Sequence, residues 1–254
     1  MAFPRVNGRF VFASLAACLF TLLFGSLVTL GALLHLPRAW IDRGCQLWGR
    51  WILSCASVRV RFEGLEHLPA GSAVLVGNHQ GMFEIIALIA YLPRQPKFVA
   101  KAEVFRIPLF GQALRVLGHI AVERDNPDKA IASIRKGTAQ LRARGDQVVF
   151  FPEGTRTRDG RLKPFKKGAF VFALESGLPL IPFAVEGSYQ ALPPKQKVIH
   201  PGLIRIRFLP QINTTPFNFE TRDQLRDLAS DKIARAVDQL RQTQPISEQL
   251  TGNS

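Results

Sequence analysis

The chain has 254 residues, 47% of them apolar, with a formal net charge of +14 and a sequence pI near 10.5. That length suffices for one substantial α/β domain plus appendages, and the basic excess leaves nucleic acid, an anionic membrane or an acidic carrier protein as partners. The three cysteines, Cys18, Cys45 and Cys55, lie in or beside the apolar N-terminal region; their spacing suggests no metal and argues against a disulfide-built secreted scaffold, so the main domain is expected in a reducing compartment.

Phe10–Leu34 is a run of 25 residues without Asp, Glu, Lys or Arg, and about 20 suffice to cross a bilayer as a helix. No Ala-x-Ala cleavage pattern follows it, so it reads as retained. Arg5 and Arg9 precede it and Arg38, Arg43 and Arg50 follow. Positive charge on both sides leaves the orientation open, and suits a re-entrant hairpin or a bent helix, broken at Pro37, better than a simple span. Next, Ala39–Ala56 carries Ile41, Cys45, Trp48 and Ile52 on one helical stripe, with three tryptophans in the segment. That pattern fits an interfacial amphipathic helix or an ordinary core-facing one.

From Val58 the pattern alternates as a half-buried strand should. Further strands are expected at Ala73–Gly77, Lys97–Ala100, His119–Val122, Gln147–Phe151, Leu180–Val185 and Leu203–Leu209. Helices are expected at Met82–Tyr91, Leu109–Leu117, Asp128–Arg144 and Ala169–Ser176, with Gly145 and Gly177 at helix C-termini, and a charged helix at Glu220–Arg241. Strands alternating with helices predict an α/β domain with a central, largely parallel sheet flanked by helices. The ligand of such a sheet lies at the strand C-terminal ends, where His79, Lys101, Arg124 and Glu153 all fall.

Two stretches carry the chemistry. Val74–Glu84 reads VLVGNHQGMFE, an apolar strand running into a turn that holds His79, with Glu84 in the first turns of the following helix. From there the carboxylate reaches back to the imidazole, giving a base and an acceptor that fixes its tautomer. The alternative is an Asn/His turn with the glutamate in solvent. Val148–Arg156 reads VVFFPEGTR, where Gly154 permits close backbone approach to a ligand and Arg156 offers a planar fork of donors suited to phosphate. The alternative there is a tight turn followed by a solvated basic loop.

The order of these blocks resembles the glycerolipid acyltransferases of the PlsC type, which include the 1-acylglycerol-3-phosphate acyltransferases. Asn78, His79 and Glu84 correspond to the family's Asn-His-x4-Asp block, with Glu for Asp. Lys101, Glu103, Gly118 and Arg124 correspond to the second block, Phe151–Arg156 to the intact Phe-Pro-Glu-Gly-Thr-Arg block, and Leu180–Val185 to a proline-centred fourth. The resemblance covers roughly residues 58–210. It implies an acyltransferase domain over residues 57–218; the residue pattern places membrane-associated helices before it over 1–56 and a charged helix and tail after it over 219–254.

The resemblance also implies transfer of a fatty acyl group from an acyl-CoA or acyl carrier protein thioester to the free hydroxyl of 1-acylglycerol-3-phosphate, giving phosphatidic acid. His79 would be the general base and Glu84 its partner. Lys101, Arg124 and Arg156 would hold the acceptor phosphate, with Glu153, Gly154 and Thr155 shaping that pocket. No metal and no cofactor beyond the thioester co-substrate is expected. The partners expected are a membrane and a lysophospholipid, not nucleic acid. The expected location is a bacterial inner membrane with the active site on the cytoplasmic side. Rival readings are the same fold acting on lyso-ornithine lipid, glycerol-3-phosphate or another lysophospholipid, a non-catalytic lipid-binding protein, and a basic nucleic-acid binder.

Overall fold

The computed structural model describes residues 7–122, 141, 144–194 and 196–243. Two helices come first, α1 (Gly8–Leu33) and α2 (Arg38–Cys55). Among the described residues seven strands follow in chain order: β1 (Val58–Glu63), β2 (Ala73–Gly77), β3 (Lys97–Lys101), β4 (Ile120–Val122), β5 (Gln147–Phe150), β6 (Leu180–Glu186) and β7 (Gly202–Phe208). Between and after them lie α3 (Phe83–Tyr91), α4 (Phe110–Val116), α5 (Gly168–Ser176), the short α6 (Ser188–Ala191) and α7 (Arg222–Gln242). The helix expected over 128–144 falls almost wholly outside the described residues, as does Arg124.

The strands form one sheet in the order β1-β7-β6-β2-β5-β3-β4. All neighbours are parallel except β6 and β7, which pair antiparallel from Phe183↔Phe208 to Glu186↔Arg205. Pro182 stands inside this buried region without an N–H to give. It is tolerated because the pairing with β7 begins one residue later, and its carbonyl accepts the amide of Leu209 at 2.9 Å.

Successive side chains of a strand point to opposite faces, and both faces here are covered. Ala73, Leu75, Val149, Ile181, Phe183 and Val185 join the core beneath α2 and α3. Val74, Val76, Val148, Phe150, Leu180 and Ala184 join the core beneath α5 and α7. A strand buried on both sides reads as a continuous apolar run rather than an alternation, which is why AVLVG and LIPFAV are so apolar. In α7, Leu225, Ala229, Ile233, Ala236, Val237 and Leu240 form the buried stripe, so this charged helix closes one face of the sheet.

The N-terminal helices form a hairpin turning through Leu34–Pro37, with Trp48 Nε1 3.3 Å from Thr21 Oγ1 and the rings of Phe20 and Trp51 5.2 Å apart. The stripe Ile41, Cys45, Trp48 and Ile52 faces inward, while Trp40 and Trp51 stay 65% and 55% exposed, so α2 is core-facing on one side and apolar to the outside on the other. Its inner side crosses α3 closely: a Cβ on Gly49 would lie 2.9 Å from that of Ala90. Arg50 and Gln46 donate to the carbonyls of Ala90 and Leu92 at the end of α3. Ile52, Leu53 and Ala56 are buried in the sheet core itself, where truncating one large side chain costs about 2–5 kcal/mol.

Residues 8–31 are long and apolar enough to cross a membrane, and only 11% of their most apolar window is buried. Leu15, Leu19, Leu22, Leu23, Leu27 and Leu30 are each at least half exposed. Apart from the adjacent Leu22 and Leu23 they recur every three or four residues, which lines one long side of α1.

Candidate active site

β2 is flanked by β6 and β5, and the loops leaving the C-terminal ends of these three strands meet. Gly77 hands over to a turn containing Asn78 and His79. Asn78 is buried and ties that turn to β6, donating to the carbonyl of Val185 at 2.9 Å and accepting its amide at 2.7 Å. The loop after β5 holds His79 by its backbone from both sides. The His79 amide donates to Glu153 at 2.8 Å, and its carbonyl accepts the amide of Thr157 at 2.9 Å. Phe151 stacks on the imidazole with ring centroids 4.3 Å apart and planes inclined by 19°. The ring therefore has one face against an aromatic and little freedom to rotate.

The two sequence-predicted partners meet: His79 Nδ1 lies 2.8 Å from Glu84 Oε1. Glu84, in the first turn of α3, is fully buried while the His79 side chain is 14% exposed. The Gly81 amide also donates to both carboxylate oxygens, at 2.7 and 3.0 Å, and the hydroxyl of Ser188 donates to Oε2. Burial is the strongest single influence on this carboxyl and opposes ionisation. The hydrogen bonds from His79, Ser188 and Gly81 outweigh it, so Glu84 sits below its ordinary value of 4.5. An ionised acceptor at Nδ1 requires the proton on that nitrogen and leaves the Nε2 lone pair outward. Among the described residues none bonds Nε2.

Glu153 is buried, and its carboxylate accepts the amides of His79 and Lys163, the latter at 3.2 Å. Burial pushes it up to about 6, partly offset by those two backbone donors. Gly154 adopts a φ of +71°, a backbone conformation that glycine takes without strain, and a Cβ there would sit 3.2 Å from Lys166 Nζ. Thr155 and Arg156 are exposed beyond it. The Arg156 carbonyl accepts Lys163 Nζ at 3.0 Å, while its guanidinium bonds no described residue. Lys101, at the end of β3, is exposed and pairs with Glu103 at 3.0 Å.

Ser188 and Thr157 escaped the sequence reading, and Phe151 stands in the third block without a role. Ser188 lies more than a hundred positions from Glu84, and only the pairing of β2 with β6 brings them together. Phe151 carries no periodicity that distinguishes a ring stacked on histidine from a core residue. Thr157 stands one place beyond the recognised block. His119, by contrast, takes no part: its Nδ1 accepts the Phe98 amide at 3.0 Å, and burial with Lys97 nearby drives its pKa down to about 3, leaving a neutral ring at the other end of β3. Among the described residues no group of His, Cys, Asp or Glu is arranged to hold a metal ion.

Residues 59–186 match the family described as Acyltransferase. The chain is 35% identical over 178 residues to the chloroplastic 1-acyl-sn-glycerol-3-phosphate acyltransferase BAT2 of Brassica napus, covering 69% of this chain and 50% of that one. It is 31% identical over 160 residues to the 1-acyl-sn-glycerol-3-phosphate acyltransferase of Escherichia coli K12, covering 63% of each. The chain thus spans about half the length of the Brassica protein. The crystal structure of the 1-acyl-sn-glycerophosphate acyltransferase PlsC from Thermotoga maritima superposes with a TM-score of 0.80 at 23% identity, covering 93% of this chain and 96% of that one, a likeness of fold. Spanning half of the sequence in one match and carrying its histidine and acidic partner in bonded contact, the chain belongs to the acyltransferase family.

Proposed function

We propose that the protein transfers a fatty acyl group from a thioester to the free hydroxyl of 1-acyl-sn-glycerol-3-phosphate, forming phosphatidic acid. The observation that carries this reading is the His79–Glu84 contact of 2.8 Å, with Nε2 left unbonded among the described residues. Neutral imidazole takes the hydroxyl proton at Nε2 as the oxygen attacks the thioester carbonyl carbon, and Glu84 stabilises the imidazolium that forms. When the tetrahedral species collapses, the C–S bond breaks and the imidazolium returns its proton to the departing thiolate. No nucleophilic serine or cysteine is needed, because the thioester is already activated.

In this reading Arg156 and Lys101, with Arg124, hold the acceptor phosphate and orient its hydroxyl toward the thioester. Gly154 and Thr155 shape the turn that presents Arg156. Glu153 contributes by holding the His79 backbone, since one of its oxygens accepts the His79 amide and the other the Lys163 amide. The names of the Brassica and Escherichia relatives support lysophosphatidate as acceptor. The outward apolar faces of α1 and α2 support a hairpin embedded in a bilayer; in this reading it delivers lipid to the site from the cytoplasmic side of a bacterial inner membrane.

The test is to incubate the purified protein with acyl-CoA, or with an acyl carrier protein thioester, and a panel of acceptors. Phosphatidic acid should form fastest from 1-acyl-sn-glycerol-3-phosphate. Preference for lyso-ornithine lipid or glycerol-3-phosphate would reassign the acceptor, and no transfer to any of them would remove the enzymatic reading.

A further inference from the structure

At the opposite end of the sheet from His79, a cavity of about 320 Å³ opens between the start of α2, the start of β3 and the end of α4. Lys97, the first residue of β3, is 2% exposed and lines this cavity together with Arg38 and Arg144. The Lys97 ammonium makes no hydrogen bond or ion pair with any described residue. Its stem and the Arg144 guanidinium converge over Gly118, where an added Cβ would lie 3.9 Å from the one and 3.7 Å from the other. Arg38 is engaged with Asp146 and lies 3.9 Å from Asp42, the one acid in the lining.

An ammonium held out of water without an acceptor is costly. Burial accordingly pulls Lys97 below its ordinary value and Asp42 above its own. Among the described residues the cluster holds three cations, Arg38, Lys97 and Arg144, against two acids, Asp42 and Asp146, which leaves one positive charge unmatched. The remaining wall is apolar, formed by Ile41, Val116 and Leu117. Beside Arg38 the hairpin turn exposes Leu34, Leu36 and Trp40, at 63%, 42% and 65%. Cationic depth, an apolar wall and an apolar rim together match the head of an amphiphile.

We propose that this cavity is a second anion site, distinct from the catalytic centre, that takes a phosphate group bearing one negative charge through Lys97, Arg144 and Arg38. A phosphodiester lipid headgroup and free inorganic phosphate share that chemistry. The occupant would tie α2, and with it the N-terminal hairpin, to β3 and the end of the segment before β5. The inference does not depend on which acceptor the catalytic site uses.

The test uses the full chain in neutral detergent and follows its thermal unfolding while soluble dihexanoyl phosphatidylglycerol is added. At ten times the dissociation constant the melting temperature should rise by about 3 °C or more. Lys97→Met replaces a buried charge by an apolar side chain of similar volume, which proteins commonly tolerate. It should raise the ligand concentration needed by about tenfold or more, the loss expected for one charge-assisted bond. Arg144→Gln, at an exposed position, should weaken binding in the same direction if Lys97→Met fails to fold. Arg156→Ala should leave the shift in place, since it lies at the other site. An equal shift with inorganic phosphate, again dependent on Lys97, supports the site with the free anion as its ligand. An equal shift with dihexanoylglycerol, which has no phosphate, or a shift that survives both Lys97→Met and Arg144→Gln, overturns the proposal.

Discussion

Gly81 approaches Ser188 so closely that a Cβ built on it would stand 2.7 Å from the serine hydroxyl oxygen. That hydroxyl donates to Oε2 of Glu84, whose Oε1 faces His79. Ser188→Ala should therefore lower kcat roughly ten-fold, the worth of one hydrogen bond to a charged group, with little change in KM. Gly81→Ala should reproduce the effect by displacing the hydroxyl. A Ser188→Ala enzyme with unchanged kcat at normal stability would mean that the serine only fills space.

His79→Ala should abolish transfer while leaving the melting temperature within about 2 °C, because the ring lies at a strand-end turn and its backbone bonds to Glu153 and Thr157 remain. Glu84→Gln should lower kcat by about a hundred-fold, since the neutral amide no longer stabilises an imidazolium. Glu84→Asp keeps the charge but withdraws the carboxylate by one methylene, about 1.5 Å. Its activity should fall between the parent and Glu84→Gln. Steady-state rates of the purified variants decide the order, and an aspartate variant below the glutamine one would mean that reach outweighs charge.

Arg156→Ala should raise KM for the phosphate-bearing acceptor by about ten- to a hundred-fold, the cost of a charge-assisted contact. KM for the acyl thioester should change by less than about three-fold. The guanidinium bonds no described residue, so little stability should be lost with it. Equal effects on both substrates would count against a phosphate-holding role.

Glu84 also sets a pH dependence of stability. Its folded pKa lies below the ordinary 4.5, so its contribution is fully present above that value and is lost as pH falls through the folded one. The melting-temperature gap between the parent and Glu84→Gln should thus be widest near neutrality and shrink below about pH 4.5. A gap that stays constant from pH 7 down to pH 3 would contradict the ionised assignment.

Removing everything before Val58 is a poor test of membrane binding, because Ile52, Leu53 and Ala56 belong to the sheet core. Replacing Leu19, Leu23 and Leu27 by glutamine alters an exposed face instead. This triple variant should fold, float poorly with anionic liposomes and lose most activity on long-chain lysolipid in vesicles. It should keep its rate on a short-chain soluble acceptor. Undiminished flotation would argue that the hairpin serves another surface.

The strands were legible because a strand covered on both faces must be apolar throughout: Ala73–Gly77 falls at its expected bounds and Leu180–Glu186 extends only one residue further. The helix end at Gly177 was legible because that glycine takes positive φ, at 56°. His79 and Glu84 were legible because five residues across a strand-to-helix turn is a local distance, which chain geometry alone closes. Composition also announced the apolar hairpin, though not that α2 turns one face to the core and the other outward.

What the sequence by itself determined is therefore most of the described elements, their alternation and the short-range pair at the heart of the site. Only the tertiary structure decided the sheet order, with β6 beside β2 and β7 reversed. That order is what carries Ser188 to Glu84, sets Glu153 and Thr157 on either side of the His79 backbone, and leaves Lys97 buried between α2 and α4. These contacts join residues separated by tens to more than a hundred positions. No local propensity encodes such neighbours; they follow from which strands pair and which faces the helices cover, a choice made by the packing of the whole core.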